Sequence, residues 1–392
     1  MIKSFHPPVR TLMGPGPSDV SPRVLGALAR NTIGHLDPKF VEMMDEVKIM
    51  LKEVFQTNNE LTMPISAPGS AGMESCFVNL IEEGDTVIVC QNGVFGSRMA
   101  ENVTRLGGNL VLVEDDWGMP VSPSKVEQAL KDHPEAKILA FVHAETSTGA
   151  RSDAKTLCKL ASDAGLLSIV DAVTSLGGIE VDVDGWGIDA IYSGTQKCLS
   201  CTPGISPVSF SQKAVDKITS RSKPVPSWFL DTNLVMGYWG AGAKRAYHHT
   251  APVNALYALH ESLVILLEEG LTNTWARHEL NHSALAAGVE AMGLSFVVES
   301  DYRLPQLNSI TIPAGVDEAK VRALLLENYS LEIGAGLGAL AGKVWRVGLM
   351  GESSSRKNVL FFLGSLEATF NEMGVDVTYG KSVKAALAVY NA

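Results

Sequence analysis

The sequence predicts an α/β protein in which a mostly parallel sheet, covered by helices, is followed by a smaller α+β region. Three observations predict it. Short β-rich apolar runs alternate with helix-period segments from about residue 62 to 210, as βαβ units do. A long helical pattern at 254–269 stops at Gly270. Beyond it, helix-like and strand-like stretches mix without that alternation.

Taken in order, residues 1–20 are rich in Pro and Gly and read as an extended arm. The apolar runs follow at 86–90, 110–113, 138–142, 166–170, 188–193 and 205–210. Between them lie amphipathic stretches such as Met73, Phe77, Leu80 and Ile81, whose spacing turns one apolar stripe toward a sheet. In the 254–269 pattern Leu256, Leu259, Leu263 and Leu266 share a face. After Gly270 come a helix over 274–292 and strands over 309–312 and 344–349. The expected division is an arm (1–20), a large domain (21–270) and a small C-terminal domain (271–392).

A length of 392 residues exceeds one ordinary core and suits two domains with room for a buried site. With 46% hydrophobic and 19% charged residues and no low-complexity tract, the composition is that of a compact globule. The net charge of −11 argues against a nucleic-acid surface, which needs clustered Lys and Arg, so small molecules are the expected partners. No apolar run is long enough to span a bilayer or serve as a signal peptide. Five cysteines do not form a secreted disulfide framework, and the final residues are not a Ser-Lys-Leu type address. The expected compartment is the cytoplasm.

Three segments carry chemistry. Lys197, in Tyr192-Ser193-Gly194-Thr195-Gln196-Lys197, leaves a strand end through small residues, where α/β sheets bind ligands. Asp171 ends the run 166–170, and a carboxylate at the end of a buried strand is costly unless paired. Pro68-Gly69-Ser70-Ala71-Gly72-Met73-Glu74 opens a helix with small residues, whose free N–H groups and dipole suit a phosphate. Each alone has an ordinary reading, as a surface lysine, a loop-capping aspartate or a plain helix start. Their order, with Lys197 26 residues after Asp171, is the signal.

The constellation is similar to the fold-type I, class V aminotransferases that use pyridoxal 5′-phosphate, above all their alanine:glyoxylate (serine:pyruvate) branch. The likeness runs through Met13-Gly14-Pro15-Gly16-Pro17-Ser18, Phe55-Gln56-Thr57, Asn92-Gly93-Val94-Phe95-Gly96 and Glu145-Thr146-Ser147-Thr148-Gly149. It continues through Val170-Asp171-Ala172-Val173, Ser193 to Lys197, Tyr247-His248-His249-Thr250 and Gly342-Lys343-Val344-Trp345-Arg346-Val347-Gly348. The lysine and Tyr-His-His-Thr segments are the specific ones.

The resemblance implies a large domain with a mostly parallel, seven-stranded-type sheet and a smaller α+β domain. It implies that Lys197 carries the cofactor as a Schiff base, that Asp171 pairs with its ring nitrogen, and that Phe95 stacks on the ring where relatives often have Trp. It further implies that Thr146 contacts the ring, that Val173 packs on the other face, and that Gly69, Ser70 and Gln196 hold the phosphate. Animal relatives carry Gly-His in place of Gly69-Ser70, a change that preserves backbone donation. Tyr247 and Thr250 would reach the phosphate from the second subunit of a homodimer. Arg346, with its planar fork of donors, would grip the substrate carboxylate, and Gly16 lies in the arm that closes over small substrates. The implied reaction is ping-pong transfer of an amino group from alanine or serine to glyoxylate or pyruvate, with ureidoglycine or pyridoxamine as alternative donors.

Other signals are weaker. Cys198 and Cys201 have redox or zinc spacing, but a zinc site needs a second pair that the sequence lacks, so they read as two small buried thiols and no metal is expected. His248 and His249 read as structural, since neighbours on a strand point to opposite faces. Gly336, Gly338 and Ala341 fit a dinucleotide fingerprint, which would make the chain a dehydrogenase, yet a strand-like run follows where a long helix is required. A catalytically silent cofactor-binding regulator is the non-enzyme alternative, and turnover discriminates it.

Overall fold

The computed structural model describes residues 2–240 and 245–392, and its centre is a seven-stranded sheet. In chain order the strands are β1 (Leu61–Ile65), β2 (Thr86–Gln91), β3 (Asn109–Glu114), β4 (Ile138–Val142), β5 (Leu167–Asp171), β6 (Ala190–Tyr192) and β7 (Ser206–Phe210). They lie side by side in the order β1-β7-β6-β5-β4-β2-β3. Every pair from β6 to β3 is parallel, whereas β7 runs antiparallel to both β6 and β1. A parallel strand covered by helices on both faces needs no polar alternation, and all five residues of β4 are indeed buried.

Two features depart from the sequence reading. β1 is absent from the predicted runs because Thr62 and Pro64 interrupt its hydrophobicity. It is nonetheless wholly buried, and Thr62 Oγ1 is satisfied by Asn59 O and Ser209 Oγ. β7 is antiparallel, a property that an apolar run cannot reveal, because burial pattern is blind to strand direction.

The parallel strands place Gln91, Val142, Asp171 and Tyr192 at one edge of the sheet, where ligands of open α/β sheets bind. Helices α1 (Gly69–Leu80) and α2 (Val94–Arg105) start at this edge, following β1 and β2. Helix α3 (Val253–Glu269) ends where Gly270 adopts a φ of 84°, a left-handed conformation suited to glycine, and α4 (Leu271–Ala291) begins at the next residue. Beyond it, β8 (Leu307–Thr311), β9 (Gly334–Ala335) and β10 (Val344–Gly348) form an antiparallel sheet in the order β8-β10-β9.

One hydrophobic core gathers buried residues from Val24 to Leu266 and a second gathers Ala284 to Ala386 together with Met13. A small cluster of Ala144, Ile179, Cys198, Leu304, Leu307 and Met350 is a third. The N-terminal segment is anchored: Thr11–Leu12 pairs in parallel with Leu331–Glu332, and Met13 sits in the second core. Among the described residues no helix is long and apolar enough to cross a membrane.

Candidate active site

Helix α1 opens behind Pro68 with no side-chain cap; the Ala71 N–H donates to the Pro68 carbonyl at 2.7 Å, which leaves the N–H groups of Gly69 and Ser70 free. Gly69 faces Val173 and Gly194, whose nearest atoms lie 3.5 and 3.6 Å from the position a Cβ would take. Ser70 is exposed beside it. Next to Gly194, the amide oxygen Oε1 of Gln196 is buried without a hydrogen-bond partner. The structure thus brings Gly69, Val173 and Gln196 to the same corner, where the helix start offers N–H donors and the Gln196 oxygen is a buried acceptor that lacks a donor.

Asp171 closes β5 and is 2% exposed. Its Oδ1 accepts from the Val173 N–H at 2.8 Å and its Oδ2 from the Tyr192 hydroxyl at 2.7 Å. Burial pushes its carboxyl up to about 7, against the opposing pull of these two bonds and of Lys197. The partner arises from register, since parallel pairing of β5 and β6 sets Tyr192 directly opposite Asp171.

Lys197 leaves β6 through Ser193 to Gln196 and is 8% exposed. Burial, with the nearby Arg346 charge, pushes its ammonium down to about 8, so the neutral amine becomes accessible near physiological pH. The arm clasps this loop. Ser18 Oγ donates to the Lys197 carbonyl and Ser18 N–H to the Gln196 carbonyl, both at 2.9 Å, and Lys197 Nζ donates to the Pro15 carbonyl. Gly16 has a φ of 101°, and a Cβ there would fall 2.5 Å from Lys197 Nζ. Only a bare backbone leaves the lysine its place.

On the opposite wall the short hairpin of Ala144–Glu145 and Ala150–Arg151 continues from β4. Glu145 is fully buried and accepts from Ser147 N–H (3.0 Å), Ser147 Oγ (2.6 Å) and Phe95 N–H (3.2 Å). Ser147 Oγ in turn accepts from Val94 N–H at 3.0 Å. Together they cap the start of α2, which has no cap of its own, and so fix the position of Phe95. Thr146 lies between them, with its Oγ1 2.5 Å from Thr174 Oγ1.

Arg346, on β10, points at this hairpin. Its Nη1 donates to the Thr146 carbonyl at 3.2 Å and its Nε to the Ala335 carbonyl at 2.7 Å. It is 7% exposed, burial pulls its guanidinium down to about 10, and both of its hydrogen-bond partners are neutral carbonyls. Glu145 favours this cation from a distance, but no anion is hydrogen-bonded to it, and its remaining N–H donors suit one. The expected ligand group is a carboxylate.

Tyr247 and Thr250 are not part of this cluster. Tyr247 is 63% exposed, and its hydroxyl lies 3.4 Å from that of Thr250, itself on the surface. The expectation that His248 and His249 point to opposite faces is corrected: they lie in a loop, not a strand, and their Nδ1 atoms are 2.8 Å apart. Cys198 and Cys201 are buried, and burial pushes their thiols up to about 12 and about 11. Gly336, Gly338 and Ala341 form a short turn into β10, with no long helix to meet a dinucleotide. The sequence reading assigned no role to Tyr192, Glu145, Ser147 or Thr174; the first three stand inside the quoted motifs, but only folding shows what they hold.

The residues fit pyridoxal phosphate through their own unmet needs. Free helix N–H groups suit a phosphate, the buried Asp171 carboxylate suits a protonated ring nitrogen, and the buried Lys197 amine suits an aldehyde.

Comparison with known proteins agrees. A family model described as Aminotransferase class-V matches residues 22–351. The crystal structure of ureidoglycine-glyoxylate aminotransferase from Bacillus subtilis is 39% identical, with a TM-score of 0.97 over 100% of both chains. That of alanine--glyoxylate aminotransferase from Nostoc sp. is 44% identical, with a TM-score of 0.92 over 94% of this chain and 97% of that one. The alanine--glyoxylate aminotransferase of Callithrix jacchus is 38% identical across 92% of this chain and 87% of its own.

Proposed function

The chain belongs to the class V aminotransferases, which use pyridoxal phosphate, and from that premise we propose that it moves an amino group from alanine or serine to glyoxylate, or secondarily to pyruvate. The observation that carries the small-substrate reading is Arg346, a buried guanidinium beside Lys197 held only by two carbonyls. A donor amino acid and an acceptor oxo acid both carry an α-carboxylate, so one arginine orients each in turn and the two half-reactions share one site. Within the matched sequence motifs no second arginine accompanies Arg346 to hold a distal carboxylate, which would be costly to bury unpaired.

When bound, pyridoxal phosphate supplies an electron sink that eases removal of the substrate Cα proton. In this proposal Lys197 takes that proton on Nζ and returns one, a role suited to an amine held near neutral pH. Asp171 holds a proton on the ring nitrogen. Gly69, Ser70 and Gln196 hold the phosphate, Phe95 and Val173 offer apolar contact to the two ring faces, and Thr146 contacts the ring. Gly16 and the arm about it keep water from the lysine.

A second reading, with ureidoglycine as donor, is favoured by the likeness to the Bacillus protein along the entire chain. A steady-state panel of alanine, serine, ureidoglycine, pyridoxamine and glutamate against glyoxylate, pyruvate and 2-oxoglutarate tests both. Alanine or serine with glyoxylate is expected to give the highest kcat/KM. If glutamate with glyoxylate or pyruvate, or alanine with 2-oxoglutarate, is faster, the small-substrate reading fails.

The proposal includes a homodimer in which Tyr247 and Thr250 reach the partner's phosphate, supported by their exposure away from the chain's own cluster. Mixing Lys197→Ala subunits with subunits carrying Tyr247→Phe and Thr250→Ala is expected to restore activity, because each heterodimer then holds one intact site. Absence of recovery, with exchange verified by mass, refutes the sharing.

A further inference from the structure

We propose that Tyr192 is a positioning residue that keeps Asp171 ionised and aimed at the cofactor's ring nitrogen; this rests on the assignment of Asp171 as the ring-nitrogen partner. Tyr192 is wholly buried on β6, and its hydroxyl makes one hydrogen bond, to Asp171 Oδ2 at 2.7 Å. A buried hydroxyl is costly unless bonded, and phenylalanine would fill the same space with no polar group to satisfy. Packing therefore does not explain the hydroxyl; its bond to the carboxylate does.

The surroundings of Asp171 show why a donor is needed. The site is buried, and burial and Glu145 on the hairpin both oppose a negative charge there. Favouring it are Lys197, the Val173 N–H and the Tyr192 hydroxyl. The Val173 bond holds Oδ1 and the Tyr192 bond holds Oδ2, so the carboxylate is fixed in one orientation by a donor on each oxygen. Of these supports only the tyrosine bond is a side-chain contact dedicated to Asp171. Without it the shared proton shifts from the ring nitrogen toward the carboxylate, and the ring becomes a poorer electron sink.

The test is a comparison of two ligands that differ at one ring atom: pyridoxal phosphate and its 1-deaza analogue, in which CH replaces the ring nitrogen. Their dissociation constants are measured by titrating the apo forms of wild type, Tyr192→Phe and Asp171→Asn. Wild type is expected to prefer the cofactor over the analogue. Tyr192→Phe is expected to reduce that preference roughly tenfold, the scale of one hydrogen bond to a charged group, while its affinity for the analogue is unchanged. Tyr192→Phe added to Asp171→Asn is expected to have no further effect on the preference.

With ¹⁵N-labelled cofactor, the ring nitrogen resonance of the loaded Tyr192→Phe protein is expected to move toward the unprotonated position. Analogue binding doubles as the check that the variant folds. If the variant keeps the wild-type preference, or loses affinity for both ligands equally, Tyr192 serves packing and the inference is overturned. If wild type itself shows no preference, the Asp171 assignment falls, and the inference with it.

Discussion

Lys197→Ala is expected to cut turnover by roughly 10³-fold or more, the range seen when a positioned proton-transfer group is removed, while the fold survives. Lys197 is buried, its Nζ donates to the Pro15 carbonyl, and Gly16 of the arm leaves it space. Borohydride treatment of the loaded protein is expected to fix the cofactor covalently to wild type and not to the variant, as read by intact mass. A variant that transaminates at the wild-type rate sinks the assignment.

The same substitution has a signature in the apo protein that is independent of catalysis. The folded-state pKa of Lys197 is depressed to about 8 from an ordinary value of 10.5, by burial first and by Arg346 second. Between those values the unfolded chain binds the proton and the folded chain does not, so stability rises with pH across that window. Below pH 8 the lysine costs the apo fold on the order of 3 kcal/mol. Lys197→Ala is expected to be more stable than apo wild type at pH 7, with a difference that shrinks as pH rises toward 10.5. Denaturant midpoints measured along that series check both the sign and the window.

Arg346→Lys is expected to lower kcat/KM by about 10²-fold for alanine, serine and other small amino acids together, since losing a geometrically held buried charge contact costs about 2–5 kcal/mol. Lysine keeps the charge but has no planar fork. It cannot hold the Ala335 and Thr146 carbonyls and still present two parallel donors to a carboxylate. Amine donors without a carboxylate provide the control. Their kcat/KM should be unchanged in the variant, and an equal loss for amines and amino acids would show that Arg346 supports the fold and not the substrate.

Much of this was legible in the sequence because it is local. Six of the seven strands of the central sheet overlap the β-rich runs read from the sequence, and the fully buried parallel strand β4 is written in its own residues. β1 was not legible, because Thr62 and Pro64 look like loop chemistry and their burial depends on Ser209 of another strand. The positions of Lys197 and Asp171 followed from strand ends, and the uncapped start of α1 from Gly69 and its small neighbours.

Contacts made at long range were decided by tertiary structure alone. Tyr192 meets Asp171 through strand register, a quantity set by two sheet neighbours jointly and encoded in neither. Gly16 faces Lys197, and Arg346 faces Thr146 across 200 residues of chain, because two separate cores place the arm and β10 against the sheet edge. By itself the sequence determined which groups are present and which local element carries each, since periodic burial and turn chemistry act over a few residues. Which groups touch, and hence which are ionised, was decided by packing: a charge buried between distant segments takes its energy from whatever those segments bring beside it.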